Sequence, residues 1–153
     1  MTRWRPSDRI RFKAIGLHWR EGRLLAVEVL DDAGRLKGVR PLGGSVEFGE
    51  TARDALVREL REELGVEARP VGPPIFMENL YVHEGAQGHE VMAIFDVTFP
   101  PDAFAGETRL EFHEDDGAPQ TARWFALDEL DRPGGPRLYP DGLGRRLRKA
   151  GRG

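Results

Sequence analysis

The stretch Gly43-Gly44-Ser45-Val46-Glu47-Phe48-Gly49-Glu50-Thr51-Ala52-Arg53-Asp54-Ala55-Leu56-Val57-Arg58-Glu59-Leu60-Arg61-Glu62-Glu63-Leu64-Gly65-Val66 decides how the rest of the chain is read. From Glu50 to Gly65 it predicts a helix. Thr51 with Asp54 three residues on is a capping-box signature, and Gly65 sits where a helix terminates. Ala52, Leu56, Leu60 and Leu64 recur every four residues and mark the buried stripe. On a wheel with 100° between residues, Glu59, Glu62 and Glu63 span an arc of about 100°, centred roughly 110° from that stripe. The three carboxylates therefore emerge at the edge of the buried face. Glu59 and Glu63 are an i, i+4 like-charge pair, and Glu59 and Glu62 are i, i+3 neighbours, which alone costs a few tenths of a kcal/mol. A divalent cation removes that penalty, and hard oxygen ligands are what magnesium takes. The plainer alternative is a solvated, charge-laced helix in which Arg58 pairs with Glu62. A two-glycine turn just upstream favours the first reading, because it delivers backbone polar groups beside the carboxylates and suits a metal and a phosphate together.

Working outward, the pattern before the helix is strand-like. Ile10, Phe12 and Ala14 alternate with Arg11 and Lys13, and this run ends near Trp19. A turn at Arg20-Glu21-Gly22 leads to a second strand over Leu24 to Leu30. Val39 to Leu42 reads as a short strand broken by Pro41. Beyond the helix, Ile75 to Val82 and Val91 to Phe99 read as a hairpin joined by a polar loop from His83 to Gly88. Residues 102 to 120 read as irregular and acidic. Ala122 to Ala126 is a last strand, Leu127 to Leu130 a helical turn, and Leu143 to Ala150 a basic terminal helix. A helix inserted among strands predicts an α/β (α+β) domain with a central mixed sheet. One domain over residues 1–153 is expected, with residues 1–9 a loose lead-in.

Composition limits what this domain does. The 153 residues are 39% hydrophobic and 32% charged, enough for a core with little apolar surplus. The longest apolar run, Val91 to Phe95, is strand-sized, far short of the ~20 residues that span a bilayer. Lys and Arg number 23 against 26 Asp and Glu, a net charge of −3. That balance argues against general attraction to duplex DNA. The absence of cysteine excludes disulfides, thiolate-bound zinc and thiol nucleophiles. The first twelve residues lack the apolar segment of a secretory signal, so a cytoplasmic location is expected.

Gly44, Glu50, Arg58-Glu59-Leu60, Glu62-Glu63 and Gly65-Val66 stand at the spacing Gly-x5-Glu-x7-Arg-Glu-aliphatic-x-Glu-Glu-x-Gly-aliphatic, with every prescribed position filled. The segment resembles the Nudix box. The strand order around it, and Ala122-Arg123-Trp124-Phe125 followed by Leu127-Asp128-Glu129-Leu130, also look like a Nudix fold, an α/β/α sandwich. The resemblance implies a hydrolase that uses Mg2+ or Mn2+ to cleave the pyrophosphate bond of a nucleoside diphosphate linked to another moiety. It implies Glu59 and Glu63 as principal metal ligands, Glu62 as a sharing ligand or water-orienting base, and a carbonyl near Gly43-Gly44 completing the shell. Arg58 would hold the carboxylates through its planar fork, while Glu50 braces the loop–helix junction and Gly65 closes the helix. Rivals for general base are Glu111, Glu114 and Asp115. Pro41-Leu42 stands where many relatives that remove oxidised nucleotides read Leu-Pro, which leaves the metal chemistry intact and the substrate open. Tyr81 fits loosely where dinucleoside polyphosphate cleavers often have a tyrosine, and Tyr81 and Glu114 are candidate substrate contacts. The competing class is a non-catalytic nucleotide-binding sensor or scaffold on the same fold. The expected partner is a small-molecule nucleotide, and an edge strand could support a homodimer.

Overall fold

Alternating burial starts in the first strand, β1 (Ile10–Leu17), where Ala14 and Ile15 enter two different apolar clusters, as a side-chain period of two requires. The computed structural model describes residues 3–114 and 116–152. After β1 come β2 (Trp19–Arg20), β3 (Arg23–Leu30), β4 (Leu36–Ser45), α1 (Ala52–Leu64), β5 (Arg69–His83) and β6 (Ala86–Thr98). The chain continues through β7 (Arg109–His113), β8 (Pro119–Phe125), a 3-10 turn (Leu127–Glu129), β9 (Arg137–Leu138) and α2 (Leu143–Lys149). The sheet order is β5-β6-β1-β4-β3-β8-β7, with β2 on β3 and β9 on β4. β1 runs parallel to β6, and β4 to β9; the other pairs are antiparallel. This is the expected mixed sheet.

The two helices bury their apolar stripes on opposite faces of it. Ala55, Leu56 and Leu60 of α1 pack with Ala14, Leu42, Ala93 and Phe95. Leu143 and Leu147 of α2 pack with Ile15, Val39, Ile94 and Leu138. Each fully buried leucine contributes about 1.5–3 kcal/mol. The ends of α1 are as the sequence predicts: the Thr51 Oγ1 accepts the Asp54 N–H at 3.1 Å, and Gly65 adopts the left-handed φ of 69° as its N–H donates to the Arg61 carbonyl. No helix among the described residues is long and apolar enough to cross a membrane.

Several boundaries differ from the sequence reading. Pro41 does not break its strand. Residues 36–41 of β4 pair with β3 and residues 42–45 with β1, so Pro41 lies at the changeover, where a missing ladder N–H costs least. The β5–β6 hairpin is far longer than expected and turns on two residues, Glu84 and Gly85, both at positive φ, the geometry of a tight hairpin turn. His89 thus lies within a strand, and His83 is buried with its Nδ1 3.1 Å from the Lys37 Nζ. Residues 102–120 are not wholly irregular: Leu110 and Phe112 alternate into the core from β7, a strand too short for its pattern to stand out.

Candidate functional site

β4 delivers two glycines to the start of the site, and each is required by close packing. A Cβ on Gly43 would strike the Ala14 carbonyl and lie 2.9 Å from the Ile15 Cα, so the β1 backbone leaves no room for a side chain. A Cβ on Gly44 would overlap the Glu59 carboxylate, 2.5 and 2.6 Å from its oxygens. The Glu59 carboxylate therefore rests against the bare Cα of Gly44, and Glu59 is only 6% exposed.

Arg58 organises the groups around it. Its Nε and Nη2 donate to the two Glu50 oxygens at 2.8 and 2.9 Å, a bidentate pairing. Its Nη1 reaches the Glu59 Oε1 at 3.1 Å and the Glu62 Oε2 at 3.3 Å, and its Nη2 also donates to the Ser45 carbonyl at 3.1 Å. One guanidinium thus ties the end of β4, the loop and the second half of α1 together. The hydrogen bonds from Arg58, followed by that from the Glu47 N–H, hold the Glu50 carboxyl down at about 2. Arg58 is in turn held more firmly protonated, chiefly by Glu50.

Glu63 has the opposite environment. Burial first, and the adjacent Glu59 second, push its carboxyl well above the usual carboxylate range, while Arg40 opposes the shift. Glu62 is more open, its side chain 45% exposed, and turned toward Arg58. Among the described residues no three His, Asp or Glu side chains already converge on one point. The structure brings Glu59 and Glu63 together and leaves Glu62 beside them on the Arg58 clamp. Two neighbouring carboxylates, one of them raised by burial and by the other, set against a cradle that a single Cβ would fill, are hard oxygen donors. They fit Mg2+ or Mn2+.

A second polar group adjoins this one. Arg40 pairs with Glu114 at 2.7 Å, and the charges of both act on Glu63. On the neighbouring strands Lys13 stands 3.9 Å from Glu90, and the Asn79 Nδ2 donates to the Glu90 Oε1 at 3.2 Å. Burial, then Arg11 and Arg40, lowers the Lys13 pKa. Tyr81 is half-buried with its ring against Gly88, and burial followed by Glu90 raises its hydroxyl to about 12. Arg11 donates to the Ser45 Oγ, so Ser45 is gripped by Arg11 through its side chain and Arg58 through its carbonyl. The sequence reading missed Arg11, Lys13, Arg40 and Asn79 as site residues. One signal was present: Arg11 and Lys13 continue the alternation that places Ile15 and Leu17 in the core, so two cations occupy positions otherwise reserved for apolar side chains.

Of the rival bases, Glu111 lies in β7, exposed and 3.5 Å from Arg109, and lines an open pocket together with Glu63; Asp115 lies outside the described residues. Trp124 is buried beneath the Arg20 guanidinium, 3.5 Å from its ring centre, and the partly buried Trp19 lies beneath Arg152. Arg148 of the basic terminal helix donates to the Leu127 and Leu130 carbonyls.

The comparisons with known proteins follow the same lines. No curated protein matches the chain. Among solved structures, the Escherichia coli ORF135 protein is 23% identical, with 92% of each chain covered and a TM-score of 0.59. A MutT NUDIX hydrolase from Burkholderia pseudomallei is 25% identical over 82% of this chain and 90% of its own, with a TM-score of 0.56. An ADP-ribose pyrophosphatase from Streptococcus suis is 18% identical over 94% and 92%, with a TM-score of 0.50. The two glycines expected to form a turn are instead the paired end of β4. The model of the NUDIX domain matches residues 9–141, which contain the complete carboxylate helix and those two glycines, and the chain therefore belongs to the NUDIX domain family.

Proposed function

We propose that the protein is a metal-dependent hydrolase of the pyrophosphate bond in a nucleoside diphosphate linked to another moiety, a small-molecule substrate met in the cytoplasm. The observation that carries this reading is the Arg58 clamp, which holds Glu50, Glu59 and Glu62 in one array while Glu59 lies on Gly44 and against Glu63. Glu59 and Glu63 would hold Mg2+ or Mn2+, assisted by Glu62 and by a carbonyl at Gly44. Once bound, the cation supplies charge neutralisation on the diphosphate and activation of water.

The remaining work falls to the side chains. Arg58 fixes Glu59 and Glu62 and spends little order doing so, since its own position is set by Glu50 and the Ser45 carbonyl. Glu62, the most open of the three carboxylates, takes the proton from the attacking water. The water oxygen forms a bond to phosphorus as the anhydride P–O bond breaks, and the leaving phosphate carries away the electron pair. Arg11, Lys13 and Arg40 present positive charge to the diphosphate, and Tyr81 bounds the space beside them. Glu114 is committed to Arg40 and serves to place that cation.

A panel of nucleoside triphosphates, nucleotide sugars, ADP-ribose and dinucleoside polyphosphates, assayed with and without Mg2+, tests the proposal. Metal-dependent release of a nucleoside monophosphate is expected. Binding of the same compounds without turnover would instead support a sensor or scaffold.

A further inference from the structure

The two edges of the sheet are built differently. β7 is five residues long, and its Arg109, Glu111 and His113 are exposed, alternating with buried Leu110 and Phe112. Short length and outward charge are how natural edges avoid pairing with other chains. β5, at the other edge, is fifteen residues long and pairs only with β6 among the described residues. Pro70, Pro73 and Pro74 blunt its first part, but the nine residues from Ile75 to His83 contain neither proline nor glycine, and Glu78 is their one carboxylate or Lys/Arg charge. Phe76, Leu80 and Val82 share a face of this strand and are 60%, 58% and 67% exposed. An edge with these features is a template for another strand.

We propose that this edge is an interface between two copies of the chain, with β5 pairing antiparallel to the same strand of the second copy so that two sheets become one. Pairing centred on Asn79 places Phe76 opposite the partner's Val82, an aromatic against a β-branched side chain. It places Glu78 opposite the partner's Leu80, so the two Glu78 carboxylates do not face each other. Self-complementarity of this kind is what a two-fold interface requires. At ~200 Å² for a fully open side chain, Phe76, Leu80 and Val82 offer roughly 370 Å² of apolar surface on one face of each chain, and the seam sets the two sets side by side as cross-strand neighbours that cover part of one another.

Light scattering across a range of protein concentrations reads the mass directly and independently of any catalytic activity. The parent chain is expected at twice the chain mass, and L80K/V82K at the chain mass with an unchanged circular dichroism spectrum. A monomeric parent at 200 μM, or a doubly substituted variant that remains dimeric, overturns the interface. A second test uses the absence of native cysteine. Mixing E78C protein with L80C protein under mild oxidation is expected to give a cross-linked heterodimer; failure to cross-link in a dimeric protein overturns the seam.

Discussion

Adding one methyl group at Gly44 should separate activity from stability. Gly44 is not among the glycines held at positive φ, so alanine meets no left-handed backbone there, only the Glu59 carboxylate. The new Cβ would stand 2.5 Å from one Glu59 oxygen, where ordinary contact begins at 3.4 Å. The carboxylate, whose carbon stands closer still, must therefore retreat by at least ~0.9 Å, a displacement of the size that costs on the order of 10²-fold in rate when it misplaces a reacting array. Overpacking of this kind destabilises by about 1–3 kcal/mol. Gly65→Ala is the matched control. That residue is left-handed at φ 69° with nothing within 4 Å of an added Cβ, so alanine there costs about 1 kcal/mol and, in a domain of this size, about 2–4 °C of Tm, with turnover unchanged. Steady-state kinetics with Mg2+ and thermal melts on both variants give the comparison. If Gly44→Ala retained turnover within threefold of the parent, Glu59 would not need its place on the glycine and the reasoning would be wrong.

Arg58→Lys keeps the charge but loses the fork, and turnover should fall 10- to 100-fold, as for lost partners of metal ligands; a rate unchanged under saturating Mg2+ would remove the clamp from the account. Glu63→Gln should lower turnover by several orders of magnitude while raising the Tm in metal-free buffer at neutral pH, because it removes a carboxyl whose charge is disfavoured first by burial and then by Glu59; a lower Tm would contradict that cost. Glu62→Gln should cost on the order of 10²- to 10⁴-fold in kcat and Glu114→Gln less than tenfold; the reverse ranking would move the general base to Glu114. The Glu50 carboxyl is held at about 2 in the folded chain against an ordinary 4.5. Its contribution to stability is therefore fully present above pH 4.5 and is lost as pH falls through 2. Acid titration by circular dichroism should show this loss in the parent and a shallower one in Glu50→Gln.

The parts legible in the sequence were those written in local spacing. Thr51, Gly65 and the four-residue repeat of Ala52, Leu56, Leu60 and Leu64 define α1 within a residue or two, because capping and amphipathicity are properties of neighbouring positions. The i, i+4 relation between Arg58 and Glu62 and the closeness of Glu59 to Glu63 follow from the same periodicity. Arg40, Lys13, Asn79 and Glu90 come from four different strands, and only pairing across the sheet assembles them. Pro41 misled the reading because a proline usually interrupts a ladder, whereas β4 changes partner there. The hairpin loop was read too long because Glu84 takes a positive φ that glycine or asparagine usually signals. Glu50 was legible as a brace, but its bidentate grip by Arg58 required the loop to fold back on the helix.

Manganese binding followed by electron paramagnetic resonance, in the parent, Glu59→Gln and Glu63→Gln, bears most directly on the carboxylate array. The account predicts that the parent removes free Mn2+ from solution, more strongly with a nucleotide present, and that either substitution restores most of the free-ion signal. Equal binding by all three proteins, or none by the parent even with nucleotide, would contradict it.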